Sequence, residues 1–127
     1  MKITRPAIVQ EDERGNIIDV LVDVDFNYAT VISSKKGVVR GNHYHEKTVQ
    51  WVYVLRGQLK CLSRKPGEKV EEAILDAGCL LENEPLEAHT LIAQEDSEFL
   101  VLTKGIRGGP SYEKDTYRLA EPLQELI

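Results

Sequence analysis

The chain holds three histidines, His43, His45 and His89. His43 and His45 are two positions apart within a run rich in β-branched residues. On a strand, such a pair shares one face, with α-carbons about 6.5–7 Å apart. Two imidazoles so placed converge on one ion or one substrate. Imidazole is the commonest metal ligand and the usual general base near neutral pH. A lone histidine is more often a structural residue, but a His-x-His pair with a third histidine downstream points to chemistry. Lys35, Lys36, Arg40 and Lys47 form a local basic group around the pair. Lys35 and Lys36 read as ordinary turn residues. Strand parity puts Arg40 opposite His43, unless Gly41 marks a bulge that re-aims it.

The elements that carry these residues are strands. Short runs rich in β-branched residues recur at 17–22, 29–32, 38–45, 49–55, 58–63, 70–75, 79–81, 88–92 and 99–103, with turn residues between them. That close spacing predicts an all-β sandwich or barrel. Leu55, Arg56, Gly57 and Gln58 read as a tight hairpin, so 49–55 and 58–63 are expected to pair antiparallel. Along 49–55, Gln50, Val52 and Val54 share the interior face, and Val49, Trp51, Tyr53 and Leu55 share the other. Both faces are apolar, so the outer one needs cover, from the tail or from a second subunit. The tail 119–127 is the only stretch with helical spacing; Leu119, Leu123 and Leu126 would cap the barrel. The polar segment with Tyr112, Glu113, Asp115, Tyr117 and Arg118 reads as a packed strap rather than a wall of the site. Glu82, Glu84 and Glu87 read as solvated; the alternative is that one of them assists His89.

Composition narrows the function. The 127 residues suit one domain, 1–127. A chain of this size buries roughly two-thirds of its unfolded surface and needs no metal or disulfide merely to fold. Charged residues make up 29%, and the net charge is −5. A nucleic-acid backbone or an anionic membrane surface is therefore a poor partner. No apolar run approaches the roughly 20 residues of a membrane span, and the start lacks the apolar core of a signal peptide. The two cysteines, Cys61 and Cys79, are too few for a disulfide scaffold and are expected to be reduced. These features predict a cytoplasmic protein.

The run Gly37-x5-His43-x-His45-x4-Gln50-x6-Gly57 resembles the first cupin motif, G-x5-H-x-H-x3-4-E-x6-G, with Gln50 at the glutamate position. Gly78 and His89 match the second motif, G-x5-P-x-G-x2-H-x3-N, in spacing. Glu84, Leu86 and Ala93 stand at its proline, glycine and asparagine positions. All three histidines thus fall on histidine positions of the family. A finer resemblance runs through Asp12-Glu13-Arg14-Gly15, Ser33 and Ser34, and Arg40-Gly41-Asn42-His43-Tyr44-His45. It is similar to the nucleotide-sugar cupins: the dTDP-4-keto-6-deoxyhexose 3,4-ketoisomerases, with R-G-x-H-x-H, and the 3,5-epimerases, with D-x-R-G. The zinc-holding cupin domain of capsular-polysaccharide sugar reductases carries a similar G-N-H-x-H stretch.

The resemblance implies one cupin domain, a double-stranded β-helix or jelly-roll barrel with a short carboxy-terminal extension. It implies an isomerase acting on a nucleotide-linked 4-keto-6-deoxysugar in polysaccharide or deoxysugar biosynthesis. His43 would be the catalytic base, with His45 beside it at the reacting carbons. Arg40 would hold the diphosphate, and the basic Lys47 is expected to join it. No cofactor is required for that reaction. The alternative is a metal-binding cupin, with His43, His45, Gln50 and His89 holding Zn²⁺, Ni²⁺ or a similar divalent ion. A further alternative is a sugar-binding cupin without activity. A homodimer is expected, associated through the Trp51 and Tyr53 face.

Overall fold

A computed structural model of the protein describes residues 1–105 and 114–127. Among the described residues there are twelve strands: β1 (Lys2–Thr4), β2 (Ile8–Asp12), β3 (Gly15–Ile18), β4 (Tyr28–Ser34), β5 (Val39–Tyr44), β6 (Val49–Arg56), β7 (Gln58–Arg64), β8 (Glu71–Asp76), β9 (Leu80–Asn83), β10 (Ala88–Ala93), β11 (Ser97–Lys104) and β12 (Tyr117–Arg118). One sheet has the order β1-β9-β6-β11-β4, the other β12-β5-β10-β7-β8, and β2-β3 stands apart as a hairpin. Every ladder among the described residues is antiparallel. The two five-stranded sheets face each other as an all-β jelly roll of the cupin type. No described ladder joins them, so the barrel is an open one. No described helix is long and apolar enough to cross a membrane.

Alternation along the strands builds the core. Val52, Val54, Leu81, Phe99 and Val101 from one sheet meet Leu59, Cys61, Leu75, Leu91 and Ala93 from the other. The facing side of β6 therefore carries Gln50, Val52 and Val54, as parity predicts. On its reverse side, Trp51 packs with Leu80 and Leu102 under Val20, Leu21 and Val24. Trp51 is 7% exposed, and its cover comes from its own chain rather than from a second subunit. That cover corrects the strand expected at 17–22. The strand stops at Ile18, because Asp19, Asp23 and Asp25 punctuate the next stretch and Asp23 turns left-handed, at φ 54°.

The expected pairing of 49–55 with 58–63 does not form. β6 pairs with β9 and β11, while β7 pairs with β8 and β10. Gly57 instead carries the chain from one sheet to the other. The inward residues on both sides of the turn, Val54 and Leu59, then meet across the core. Gly57 has φ 90°, and a Cβ there would lie 2.6 Å from the Asp96 carbonyl oxygen, so the corner admits only glycine.

The tail holds a single 3₁₀ turn, Leu123–Glu125, rather than a helix. Pro122 precedes it in extended conformation, which limits the run. Leu123 is fully buried against Leu62 and Ala88 on the outer face of the second sheet, with Leu119 packed beside it, so these two form the expected cap. Leu126 is exposed, because the single turn does not carry it onto the same face.

Candidate active site

The site begins with an irregularity in β5. His89 of β10 faces His43, but the next residue, Thr90, faces Gly41. One step on β10 corresponds to two on β5, so Asn42 is an extra residue and the pairing is a β-bulge. Asn42 and Gly41 both take positive φ, 57° and 99°. A Cβ at Gly41 would lie 2.7 Å from the His89 carbonyl oxygen, which explains the glycine. The extra residue reverses parity, and Arg40 comes to the same side of the sheet as His43. Asn42 is itself fixed. Its Oδ1 accepts from Thr90 Oγ1 at 2.7 Å and from the Leu123 amide at 2.8 Å, and its Nδ2 donates to Gln124 Oε1 at 3.1 Å.

The three histidines converge. Ring centroids lie 4.9 Å apart for His43 and His45, 4.7 Å for His43 and His89, and 5.4 Å for His45 and His89. One nitrogen of each lies within 4.8 Å of the others. His45 is buried, and its Nδ1 lies 2.7 Å from the Asp115 carbonyl oxygen. A carbonyl only accepts, so Nδ1 carries a proton, and in the neutral ring Nε2 then carries the lone pair. Nε2 is buried with no hydrogen-bond partner among the described residues. His89 Nδ1 lies 3.3 Å from the carbonyl oxygen of Glu87. Gln50 is buried on the opposite sheet, and its Nε2 donates to Thr103 Oγ1 at 3.4 Å.

Asp115 holds more than one bond. Its carboxylate accepts from the Glu46 amide at 3.0 Å, the Lys47 amide at 3.1 Å and the Thr48 hydroxyl at 2.6 Å. Burial raises its pKa, but the bonds from Thr48, Glu46 and Lys47, with His45 nearby, outweigh burial and hold it below the ordinary carboxylate value.

A cavity of about 320 Å³ opens between the sheets. Arg40, His43, Gln50, His89 and Arg118 supply its polar wall, and Val52, Leu91 and Phe99 are among its apolar residues. Arg40 is braced at the rim, its Nε donating to Ser34 Oγ at 2.8 Å and its Nη2 to the Ser33 carbonyl at 3.0 Å. Arg118 was expected in a strap. Instead β12 pairs along β5, with Arg118 facing His43, and forms a wall of the site. Two expected positions differ. His45 stands behind His43 and His89 and does not line the cavity. Lys47 is exposed in the turn after β5 and also lies outside the cavity wall. Tyr117 stacks on Tyr44 on the outer face, and the Glu46 carboxylate holds its hydroxyl above the ordinary phenol value. Tyr112 and Glu113 lie outside the described residues.

The acidic group before His89 is less solvated than expected. Glu82 accepts the Trp51 indole N–H at 2.8 Å. Glu87 is 1% exposed, and its carboxylate lies 2.8 Å from the Met1 amine. Alternation explains this, since Glu87 and His89 both point inward while Ala88 points out. Cys61 is buried and Cys79 half-buried, and neither is in a disulfide.

No curated protein matches the chain in sequence. Solved structures share its fold. A 3,4-ketoisomerase from Helicobacter canadensis aligns with TM-score 0.80 at 19% identity, over 98% of this chain and 96% of that one. A 3,4-ketoisomerase from Thermoanaerobacterium thermosaccharolyticum, a double mutant in complex with TDP, aligns with TM-score 0.77 at 22% identity, over 98% and 92%. A dTDP-4-dehydrorhamnose 3,5-epimerase from Sulfolobus tokodaii aligns with TM-score 0.76 at 21% identity, over 98% and 82%. A family profile described as the polysaccharide biosynthesis C-terminal domain matches residues 10–103. That match spans most of both sheets and all three histidines, and the chain belongs to this family.

Proposed function

We propose that the protein is a nucleotide-sugar isomerase, a ketoisomerase or epimerase acting on a nucleotide-linked 4-keto-6-deoxysugar. The observation that carries this reading is the cavity wall, where a histidine and two arginines stand together on adjoining strands. The likeness to ketoisomerases and epimerases supports it, as does the TDP held by one of them. Arg40 and Arg118 bind the diphosphate. His43 takes the proton from the carbon beside the ketone. The C–H electron pair moves into the C–C bond and the carbonyl pair onto oxygen, giving an enolate that nearby cations stabilise. Return of the proton to the same carbon on the other face inverts it. Return to the former carbonyl carbon, with loss of the neighbouring hydroxyl proton, moves the ketone. The reaction needs no electron acceptor, and the reading requires no cofactor.

The test is solvent deuterium exchange. Wild-type protein incubated in D₂O with TDP-4-keto-6-deoxyglucose takes deuterium into the carbon next to the ketone. His43→Asn keeps the fold and loses roughly 10²–10⁴ of that rate. Absence of wash-in with any TDP- or UDP-4-keto-6-deoxysugar overturns the reading.

A metal centre is the second reading, favoured by the three convergent imidazole nitrogens and the unbonded, buried Nε2 of His45. His43, His45 and His89 would hold a divalent ion, with Gln50 as a neutral fourth donor, and the ion would supply Lewis-acid stabilisation of an oxyanion. That donor set carries no compensating charge. Elemental analysis finding one Zn²⁺ or Ni²⁺ per chain supports this reading, and a value near zero after mild purification overturns it.

The whole chain is read as one domain working in the cytoplasm, which agrees with its two free thiols. We also read it as a homodimer. Trp51 gives no reason for one, but Val31 at 59% exposure and Leu55 at 43% leave the rest of that sheet face uncovered. Sedimentation at micromolar concentration as a monomer overturns this.

A further inference from the structure

We propose that Asp115 is a positioning residue that fixes His45 in a single tautomer, with Nδ1–H held and the Nε2 lone pair facing His43 and His89. The inference rests on the proposed reaction only for its kinetic consequence. Its structural part stands on the hydrogen bonds.

Residues 46–48 form the turn that leaves β5, and His45 is the last residue before it. Nothing in the local sequence defines the ring orientation of His45. The definition comes from 70 residues away, where the Asp115 carbonyl meets Nδ1 at 2.7 Å. A main-chain carbonyl at that distance orients a ring only if its own peptide is held still. The Asp115 carboxylate supplies the hold, because its two oxygens accept three hydrogen bonds from the same turn that carries His45. The arrangement is a clamp. The carboxylate ties residue 115 to 46–48, and the carbonyl then meets the ring. Asp115 and Thr48 are both buried, so the hydrogen bond between them is shielded from water.

The tautomer sets what His45 can do. It does not line the cavity, so it acts through its neighbours. With Nδ1–H committed outward, the inward nitrogen of the neutral ring is the bare one. It can accept a hydrogen bond or a proton from the imidazole of His43, 4.9 Å away between centroids. Released from the clamp, the ring can flip or exchange tautomers and present an N–H donor where an acceptor is required. Supporting groups of this kind typically carry 10- to 100-fold of activity or ligand affinity.

The test pairs a spectroscopic readout with kinetics. Long-range ¹H–¹⁵N correlation on wild-type protein is expected to show His45 as one tautomer, protonated at Nδ1. Asp115→Ala removes all three carboxylate bonds and is expected to average the two His45 nitrogen signals. It lowers kcat about 10- to 100-fold while KM changes less than about threefold. Thr48→Val removes one of the three bonds and falls between. If Asp115→Ala does not fold, Asp115→Asn, which keeps the shape and one acceptor oxygen, is read in the same way. A folded variant with His45 still locked at Nδ1–H, or a wild type whose His45 already populates both tautomers, overturns the proposal. If wild-type protein shows no turnover, the reaction assignment fails while the nitrogen spectra still decide this inference.

Discussion

Arg40 and His43 lie three positions apart on one strand, yet both line the same cavity. A regular strand would send them to opposite faces. The extra residue, Asn42, restores them to one side, at the cost of two left-handed residues, one of them a glycine pressed against the His89 carbonyl.

Gly41→Ala tests that bulge. The alanine meets both a disfavoured φ and a backbone oxygen that cannot move without shifting β10. Strain of this kind costs on the order of 1–3 kcal/mol. Urea denaturation should show a loss of at least that size, and TDP affinity should fall with it.

Arg40→Met tests the diphosphate assignment without touching the backbone. A hydrogen bond to a charged group contributes about 1.5–3 kcal/mol, so the Kd for TDP measured by calorimetry should rise roughly 10- to 100-fold. Arg118→Met should act in the same direction. If both leave the Kd unchanged, the diphosphate sits elsewhere.

Asn42→Ala should loosen the tail. The Thr90 hydroxyl and the Leu123 amide both lose their acceptor, and each unsatisfied buried group costs about 1–3 kcal/mol. Amide exchange at Leu123 is expected to accelerate more than exchange in β11. Leu123→Ala should go further, with about 2–5 kcal/mol lost by emptying a fully buried site.

Cys61 gives a pH dependence. Burial, and after it the Glu87 carboxylate, push its thiol up to about 12 from the ordinary 9.0. Between those values the unfolded chain releases the proton and the folded chain keeps it, so stability falls as pH rises above 9. The slope from this group is about 1.4 kcal/mol per pH unit. Cys61→Ala should flatten the alkaline limb of a stability curve. In native protein at pH 8, a thiol reagent should modify the half-buried Cys79 and leave Cys61 until the chain unfolds.

Much of this was legible in the sequence. Eight of the nine expected runs became strands, because β-branched alternation reports a half-buried pleat directly. The convergence of the histidines came from the spacing of two motifs. Other features carried no local signal. The turn at Gly57 reads alike whether the chain doubles back or crosses between sheets, since either needs positive φ. β12 has two residues, too few for a pattern, so Arg118 looked like part of a strap. Glu87 resembled its neighbours Glu82 and Glu84, and only the inward parity it shares with His89 buries it. Asp115 makes every contact that matters with residues near 46, and nothing at 115 announces them.

The pairing of β12 along β5 has a consequence for how the site comes into being. Every residue of the histidine cluster lies before residue 90, but the carbonyl that orients His45 and the wall residue Arg118 arrive some 70 residues after β5. Closing so long a loop is slow and comes late in folding. A chain caught with both sheets formed but its last stretch undocked would own the three imidazoles and none of the chemistry. The site would thus be completed by the final docking step rather than by the formation of the core.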